Sequence, residues 1–471
     1  MHNVYSNSYL NISATTSRDG DGGCFRDRNP FLVQPVIVQT TWAAGDPSTY
    51  VCTEHNLWLE SVDNEVLNQQ GWVLQERFLA PRILHFAAHQ LFWECREGHK
   101  CESLPYASVS QISKPRLIKV GNPAEDFPRL REEHLAKDED IDPRPEQEQA
   151  NDAITGGYSL WNDLVEVYSD AKLSVPSDKL IAFSGIAKEL RIHLQDEYFA
   201  GLWKRHMIHH LLWKVWGSME VRPAYRAPTW SWASVDGFVF EASSILRVDG
   251  KELLASVQDV RVTTVGDDDT GAVKAGYLRI KGQLARASLE RRHRSQSISE
   301  NDLSSGSIDE DSKNLKTDIE QITIDNAPYA IFSCGREATP EELEGDFFEL
   351  TVNGIRVQYS PALDIIPPSE SNNTDFHCLL LKYMTIDDDR GGLHPQIMGL
   401  ILEPTGIFRG QFRRIGIFEI GYLEEVEYLL RGVGYDVEYE KCTSSVDCSF
   451  KIGEKEGYVK WKAEEYVISI V

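Results

Sequence analysis

Cysteine is scarce. The 471-residue chain has eight, at Cys24, Cys52, Cys95, Cys101, Cys334, Cys378, Cys442 and Cys448. That density and scatter exclude a disulfide scaffold and suit reduced thiols. Long apolar runs are missing too: none approaches the ~20 residues of a membrane span. The opening MHNVYSNSYLNISATT lacks the basic and apolar regions of a signal peptide, so the expected location is cytoplasmic and the expected partners include no membrane. Without secretion, Asn11-Ile12-Ser13 is a chance glycosylation pattern. A basic surplus is also absent. The formal net charge is −25, which argues against nonspecific nucleic-acid binding. No G-x-S-x-G elbow occurs. Asp19-Gly20-Asp21-Gly22-Gly23 is too short for a calcium loop and lacks the Gly-Lys-Ser/Thr ending of a phosphate loop.

What is present is enough for a fold. Hydrophobic residues make up 41% of the chain, and this length holds two or three domains with sizeable cores. The acidity is partly local. Residues 123–150 hold ten acids and four bases, and residues 298–320 hold seven acids and two bases. The stretch from Asn122 to Asp152, rich in Pro, Glu and Asp, is expected to be a mobile surface excursion. Arg291 to Asp311 is expected to be a disordered insert.

The densest pattern lies between Gln69 and Cys95. Leu67, Gly71, Leu74 and Phe78 share a helical face, and Pro81 ends that helix. Arg82–Phe86 and Gln90–Cys95 then read as a hairpin through Ala87-Ala88-His89. Gln75, Glu76, Arg77 and Arg82 fall among Trp72, Phe78, Phe86, Phe92 and Trp93. Charges beside buried rings need partners, so an internal ion-pair or hydrogen-bond cluster is expected.

Downstream, Leu160, Leu164 and Val167 mark an amphipathic helix. A second, capped by Ser177, carries Leu180, Phe183, Ala187, Leu190 and Leu194. A third is expected over Asp196–Trp216. From about Phe238 the period becomes two, predicting strands over 256–265, 276–283, 377–384, 397–402 and 413–420. Glu424–Arg431 reads as helical, and Gly457–Trp461 and Tyr466–Val471 as strands.

These residues carry a family resemblance. Gln70-Gly71-Trp72-Val73-Leu74-Gln75-Glu76-Arg77, followed by Arg82 and then Leu91-Phe92-Trp93-Glu94-Cys95, resembles the closing pattern of the fungal heterokaryon incompatibility (HET) domain. Gln70 stands where that family usually has arginine. Met1, Val4, Tyr5, Leu10–Thr15 and Gly23–Arg28 resemble the helix, strand and loop before it. Trp161–Ser169, Asp178–Ala187, Ala200–Trp203 and Ala227–Ser234, with Trp230 and Trp232, resemble the region that follows the domain in such proteins. The family's opening Y-x-x-L-S-Y-x-W-G and W-x-D-x-x-C-I-x-Q patterns do not occur. The chain is therefore expected to be a fragment, the product of a misplaced start, or a degenerate member that needs a partner.

The resemblance implies an α/β fold: the C-terminal half of a TIR-like HET domain (1–101), then an acidic linker (102–157). A helical extension (158–236) and an antiparallel β-rich domain (237–290 and 321–471) follow, the latter interrupted by the 291–320 insert. It implies non-self recognition ending in growth arrest or cell death, through an unidentified protein partner. Some TIR relatives cleave NAD with a glutamate, so an NAD-cleaving hydrolase completed by missing sequence or a partner is the alternative. NAD would then be substrate, and no cofactor is expected. A non-catalytic interaction module is the third reading.

Other chemistry reads more weakly. Cys95, His99 and Cys101, with His85 or His89, could ligate zinc, but no standard finger has this spacing. Glu94 beside Cys95 disfavours a reactive thiolate. His206, His209 and His210 could share a helix face. Glu76 and Arg77 could act as an acid and an anion binder, although an interior ion pair is the stronger reading. Trp230 and Trp232 could form a binding platform, although packing between layers is commoner. Ser297, in Arg292-His293-Arg294-Ser295-Gln296-Ser297, fits a basophilic kinase site.

Overall fold

A computed structural model describes residues 2–40, 48–106, 109, 116–117, 119, 146–217, 221–242, 252–293, 319–324, 327–332, 346–367, 376–387, 393–421, 423–432, 437–439, 450–452 and 466–471. The protein is mixed α/β, with many strands and few helices. It divides into two compact units. The first comprises residues 1–122, 171–173 and 294–345, and the second comprises 123–170, 174–293 and 346–471. The helical stretch 158–236 and the β-rich region thus share one unit, where the sequence reading separates them, and the 294–345 segment goes with the first unit. Ser297, most of the expected insert and Gly457–Trp461 lie outside the described residues; the described ends of that insert are ordered, with residues 291–293 closing the strand Leu284–His293 and residues 319–320 opening the strand Ile319–Ile324.

Elements are numbered along the chain. In the first unit, α1 (His2–Ser6) precedes β1 (Asn11–Ser13), β2 (Val36–Thr40) and β3 (Ser48–Cys52). Then come α2 (Gly71–Leu79), β4 (Arg82–Phe86), β5 (Leu91–Cys95) and β6 (Gly98–Cys101). One sheet has the order β1-β4-β5-β6. β1 runs parallel to β4, with Asn11 opposite Ile83 and Ser13 opposite His85. β4 and β5 form the expected antiparallel hairpin, Leu84 opposite Trp93, and β6 pairs back onto β5 with His99 opposite Glu94. Parallel neighbours need a crossover, and α2 lies in the one between β1 and β4. A second sheet joins β2 and β3 to two strands at Ile319–Ile324 and Ala327–Phe332. The strand expected over Tyr9–Thr16 is shorter than the apolar run. Tyr9, Leu10 and Ile12 are exposed: Tyr9 and Leu10 precede β1, and Ile12 alternates away from the buried Ser13.

The second unit begins with α3 (Glu146–Ser169). This helix starts inside the stretch expected to be mobile, and it buries Leu160, Trp161, Leu164, Val165 and Tyr168. The next helix, α4 (Ser184–Leu194), begins later than the Ser177 cap predicts, since residues 176–178 form a separate 3₁₀ turn. The third expected helix is not a helix. Residues 198–215 form a two-stranded hairpin, β7 (Tyr198–Phe199) and β8 (Leu202–Trp203), a four-residue helix α5 (Met207–His210), and β9 (Trp213–Val215). Ala200 and Gly201 turn the hairpin at φ 45° and 97°, angles that no right-handed helix contains. At Gly201 a Cβ would meet Trp232 Nε1 at 2.6 Å, so only glycine fits.

The period-two region builds an eleven-stranded sheet. The expected strands extend to Ala255–Thr264, Val273–Gly282, Phe376–Asp387, Leu393–Pro404 and Gln411–Ile420. Tyr466–Ile470 closes beside the last of these in parallel, and the other pairings in this sheet are antiparallel. The expected terminal helix spans Leu423–Gly432. Arg414, fully buried, joins the layers of this unit. It donates to Asp364 at 2.8 and 3.2 Å and to the carbonyls of Leu211 and Trp213 at 2.7 and 2.5 Å. Its guanidinium lies 3.3 Å from the Trp213 ring centroid. Among the described residues, no helix is long and apolar enough to cross a membrane.

Candidate functional site

The family-like residues of the first unit converge on a buried ionic cluster. Residues 59–63 form a single wide helical turn that brings Asp63 beneath α2. Helical spacing puts Leu74, Gln75, Arg77 and Phe78 on the buried side of α2, while Trp72 is half-buried. Strand alternation turns Phe92 and Glu94 inward from β5 and His99 and Cys101 inward from β6. Trp58, with no exposed surface, roofs the cluster. Its ring sits 4.5 Å from that of His99 and 5.6 Å from that of Phe92.

Arg77 is the hub. Its Nε donates to Glu94 Oε2 at 2.7 Å and its Nη1 to Asp63 Oδ1 at 2.7 Å. Asp63 also accepts from Trp58 Nε1 at 3.2 Å and from the Arg116 backbone N–H at 2.8 Å. Lys119 donates to the carbonyls of Arg77 and Ala80 at the end of α2, where a cation offsets the helix dipole. Its ammonium is 4.0 Å from Glu94 Oε1. His85 Nε2 lies 2.8 Å from Glu94 Oε2. A carboxylate only accepts, so Nε2 carries the proton and Nδ1 accepts from Thr15 Oγ1 at 3.2 Å. Ser13 Oγ, 3.0 Å from Thr15 Oγ1, completes the chain of donors.

The protonation states follow from this packing. Burial pushes Glu94 upward, but Arg77, Lys119 and the His85 hydrogen bond overcome it and hold the carboxyl well below its usual range. Arg77 is raised against its own burial by Glu94 and Asp63. Burial lowers His85, with Arg77 and Lys119 adding to it against Glu94. Burial, with help from the same cations, lowers His99 to about 4. Burial lowers Lys119 to about 8. At neutral pH two cations thus face two carboxylates with both histidines neutral, and the charges balance. Asp63 and the Oε2 of Glu94 are met by donors. Glu94 Oε1 is buried without a hydrogen-bond partner among the described residues, with Lys119 4.0 Å away. The arrangement acts as a clamp between α2, β4, β5 and the Asp63 turn.

The other predicted residues disperse. Glu76 does not pair with Arg77. It hydrogen-bonds Tyr5 of α1, and burial together with that bond raises the Tyr5 phenol to about 12. Arg82 is exposed, 5.3 Å from the Tyr9 ring centroid, and Trp93 is half-buried; both correct the reading that packed them inside. The zinc set does not assemble. Cys95 is on the opposite face of the sheet from His99 and Cys101 and donates to Gly98 O at 3.6 Å, a consequence of its odd strand position. His89 is exposed. Among the described residues, no group of three or more His, Cys, Asp or Glu is placed for a metal ion.

In the second unit, His206 caps the four-residue α5, and the three histidines come together there: the His206 ring stacks on that of His209 at 4.4 Å and lies 4.8 Å from that of His210. His210 is buried, with Nδ1 accepting from the Trp203 N–H at 3.3 Å, and burial holds it near 3. Trp230 and Trp232 are buried rather than presented as a platform. The Trp232 indole donates to Gly201 O at 2.9 Å and meets Tyr168 and Phe183 edge-on.

Sequence reading missed Trp58, Asp63, Thr15 and Lys119. Their contacts with Arg77, Glu94 and His85 span up to 70 positions along the chain, and no local period marks them. The inward alternation of Phe92, Glu94, His99 and Cys101 across the β5–β6 hairpin was the available signal.

No family model, no curated protein and no solved structure matches this chain.

Proposed function

We propose that the chain is a HET-type incompatibility protein that acts through protein association and ends in growth arrest. One observation supports the reading best. The two halves of the quoted motif, Gln75-Glu76-Arg77 and Trp93-Glu94-Cys95, meet through the Arg77–Glu94 pair in a four-stranded α/β sheet. The TIR-like assignment of that sheet is part of this proposal. The ionic cluster favours a scaffold role over chemistry. Glu94 has no exposed surface and its Oε2 is engaged by Arg77 and His85, whereas a glutamate that attacks or protonates a substrate must reach it.

The test is induced expression in a filamentous fungus. The wild-type chain is expected to arrest growth. Trp72→Ala is the informative variant, because Trp72 belongs to the motif; it is half-buried, so its truncation also removes packing and the comparison is made at equal levels of folded protein. At equal protein level this variant is expected to restore growth. Normal growth with the wild type, or arrest unchanged in the variant, counts against the proposal.

A further inference from the structure

We infer that the outer face of the β1-β4-β5-β6 sheet docks an acidic amphipathic helix of a partner protein. The polarity of this sheet is inverted. Its inner face, closed by α2 and Trp58, has Ser13, His85, Glu94 and His99 among its buried side chains. Its outer face carries a continuous apolar set. The register puts Ile12, Leu84, Trp93 and Lys100 in one row across all four strands. Phe86 and Leu91 form the row on one side of it, and Arg82 and Cys95 the row on the other. Leu84, Phe86, Leu91, Trp93 and Cys95 are half-buried. Ile12 is 60% exposed, and the exposed Phe25 ring stands edge-on to Phe86 at 5.6 Å. A sheet face that meets water is ordinarily its polar one. An apolar face in that position marks an association surface.

Charge and dimensions choose the occupant. The chain has a net charge of −25, yet the strand positions of this face carry two cations, Arg82 and Lys100, and no acid. Arg82 lies 5.3 Å from the Tyr9 ring centroid, and Lys100 donates to Tyr106 O at 3.4 Å. Among the described residues, neither is paired with a carboxylate. Glu102, which follows β6 beside Leu91, is taken by Arg28 at 2.5 Å. Two copies of this face would set like charges together, which disfavours a second copy of the chain. The charge of the whole chain disfavours an anionic membrane. Four strands span ~14 Å, and five residues of strand ~17 Å. One helix of ~11 residues and ~10 Å width matches that area, and helices are what cover the faces of α/β sheets. Its apolar stripe would cover Leu84, Phe86, Leu91 and Trp93, with acidic side chains beyond the stripe reaching Arg82 and Lys100. Such docking rests on protein association, the core of the proposed function. Binding by the purified chain and growth arrest in the cell can each fail without the other.

The test titrates the full chain into three labelled peptides of ~18 residues and reads fluorescence anisotropy. The first is an amphipathic helix with a leucine stripe and glutamate flanks. The second replaces its glutamates by lysine, and the third scrambles the first. The salt is about 0.15 M, which screens the overall charge of the chain. The acidic helix should bind saturably with a Kd below ~100 μM. The lysine peptide should bind at least about threefold more weakly, as expected for rim charges, and the scrambled one at least about tenfold more weakly. Ile12→Asp, at an exposed position, should weaken the acidic helix about tenfold with an unchanged melting curve. Arg82→Glu combined with Lys100→Glu should reverse the preference to the lysine peptide, an outcome that loss of folding cannot produce. The proposal is overturned if the acidic helix gives no saturable binding, if the scrambled peptide equals it, or if the charge-reversed chain keeps the original preference. It is also overturned if the chain forms a dimer that Ile12→Asp dissolves, or binds phosphatidylserine vesicles in an Ile12-dependent manner, since a second copy or a membrane then covers the face.

Discussion

At the scale of the residue, burial dictates how the first unit responds to acid. Glu94 titrates lower in the fold than in the unfolded chain, where its value is near 4.5. Its contribution to stability is complete above that value and is lost as pH falls through the folded one. His99 acts in the same direction. Its folded value is about 4 against 6.5 unfolded, so across that window the unfolded chain binds a proton that the fold excludes. Stability should fall as pH drops from 6.5 to 4. His99→Phe, which keeps a ring beneath Trp58, should lessen that dependence without abolishing it, since burial lowers His85 and His210 too, as read from urea midpoints at pH 4, 5, 6 and 7. An unchanged slope would mean that His99 is not the group responsible. The need for an internal ion pair was legible from Arg77 among aromatics, because a buried charge without a partner is too costly. The identity of the second carboxylate, Asp63, was not, since only the wide turn of residues 59–63 brings it under α2.

At the scale of the element, strands with regular alternation were legible and the compact 198–215 segment was not. Phe199, Leu202, Trp203, Leu211, Leu212 and Val215 resemble a helical face in spacing, yet the left-handed turn at Ala200–Gly201 breaks any such helix. The large sheet contains a comparable constraint at Gly399, opposite Leu380 and next to a register shift. A Cβ there would collide with the Leu379 carbonyl oxygen and crowd Phe418 at 2.7 Å. Backbone cannot move aside as a side chain can. Gly399→Ala should therefore destabilise the second unit by ~1–3 kcal/mol or more, seen as a lower thermal midpoint. A midpoint equal to that of the wild type would show that the strand crossing relaxes.

At the scale of the whole molecule, each unit has a buried arginine that ties its layers. In the second unit Arg414 connects the sheet to the segment after α4 through Asp364 and two backbone carbonyls. Arg414→Met leaves Asp364 buried without its partner, and loss of one member of such a pair costs about 3–5 kcal/mol. Arg414→Met combined with Asp364→Leu should regain part of that loss, because it removes the stranded charge. Thermal denaturation of the two variants gives the comparison. If the double variant is no more stable than the single one, the lost carbonyl contacts dominate instead of the ion pair.

The sequence by itself determined what depends on neighbours close along the chain. It supplied the helix ended by Pro81, the hairpin after it, the amphipathic face of α3 and the alternation of the long strands, because local periodicity sets which side each residue can bury. Only the tertiary structure decided which charges meet. It paired Arg77 with Glu94 and Asp63, sent Glu76 to Tyr5, parted Cys95 from Cys101 by one step of strand alternation, and set Ile12, Leu84 and Trp93 in one row on the outer face of the sheet. The energy of an ion pair depends on distance and burial, and neither is encoded by spacing along the chain.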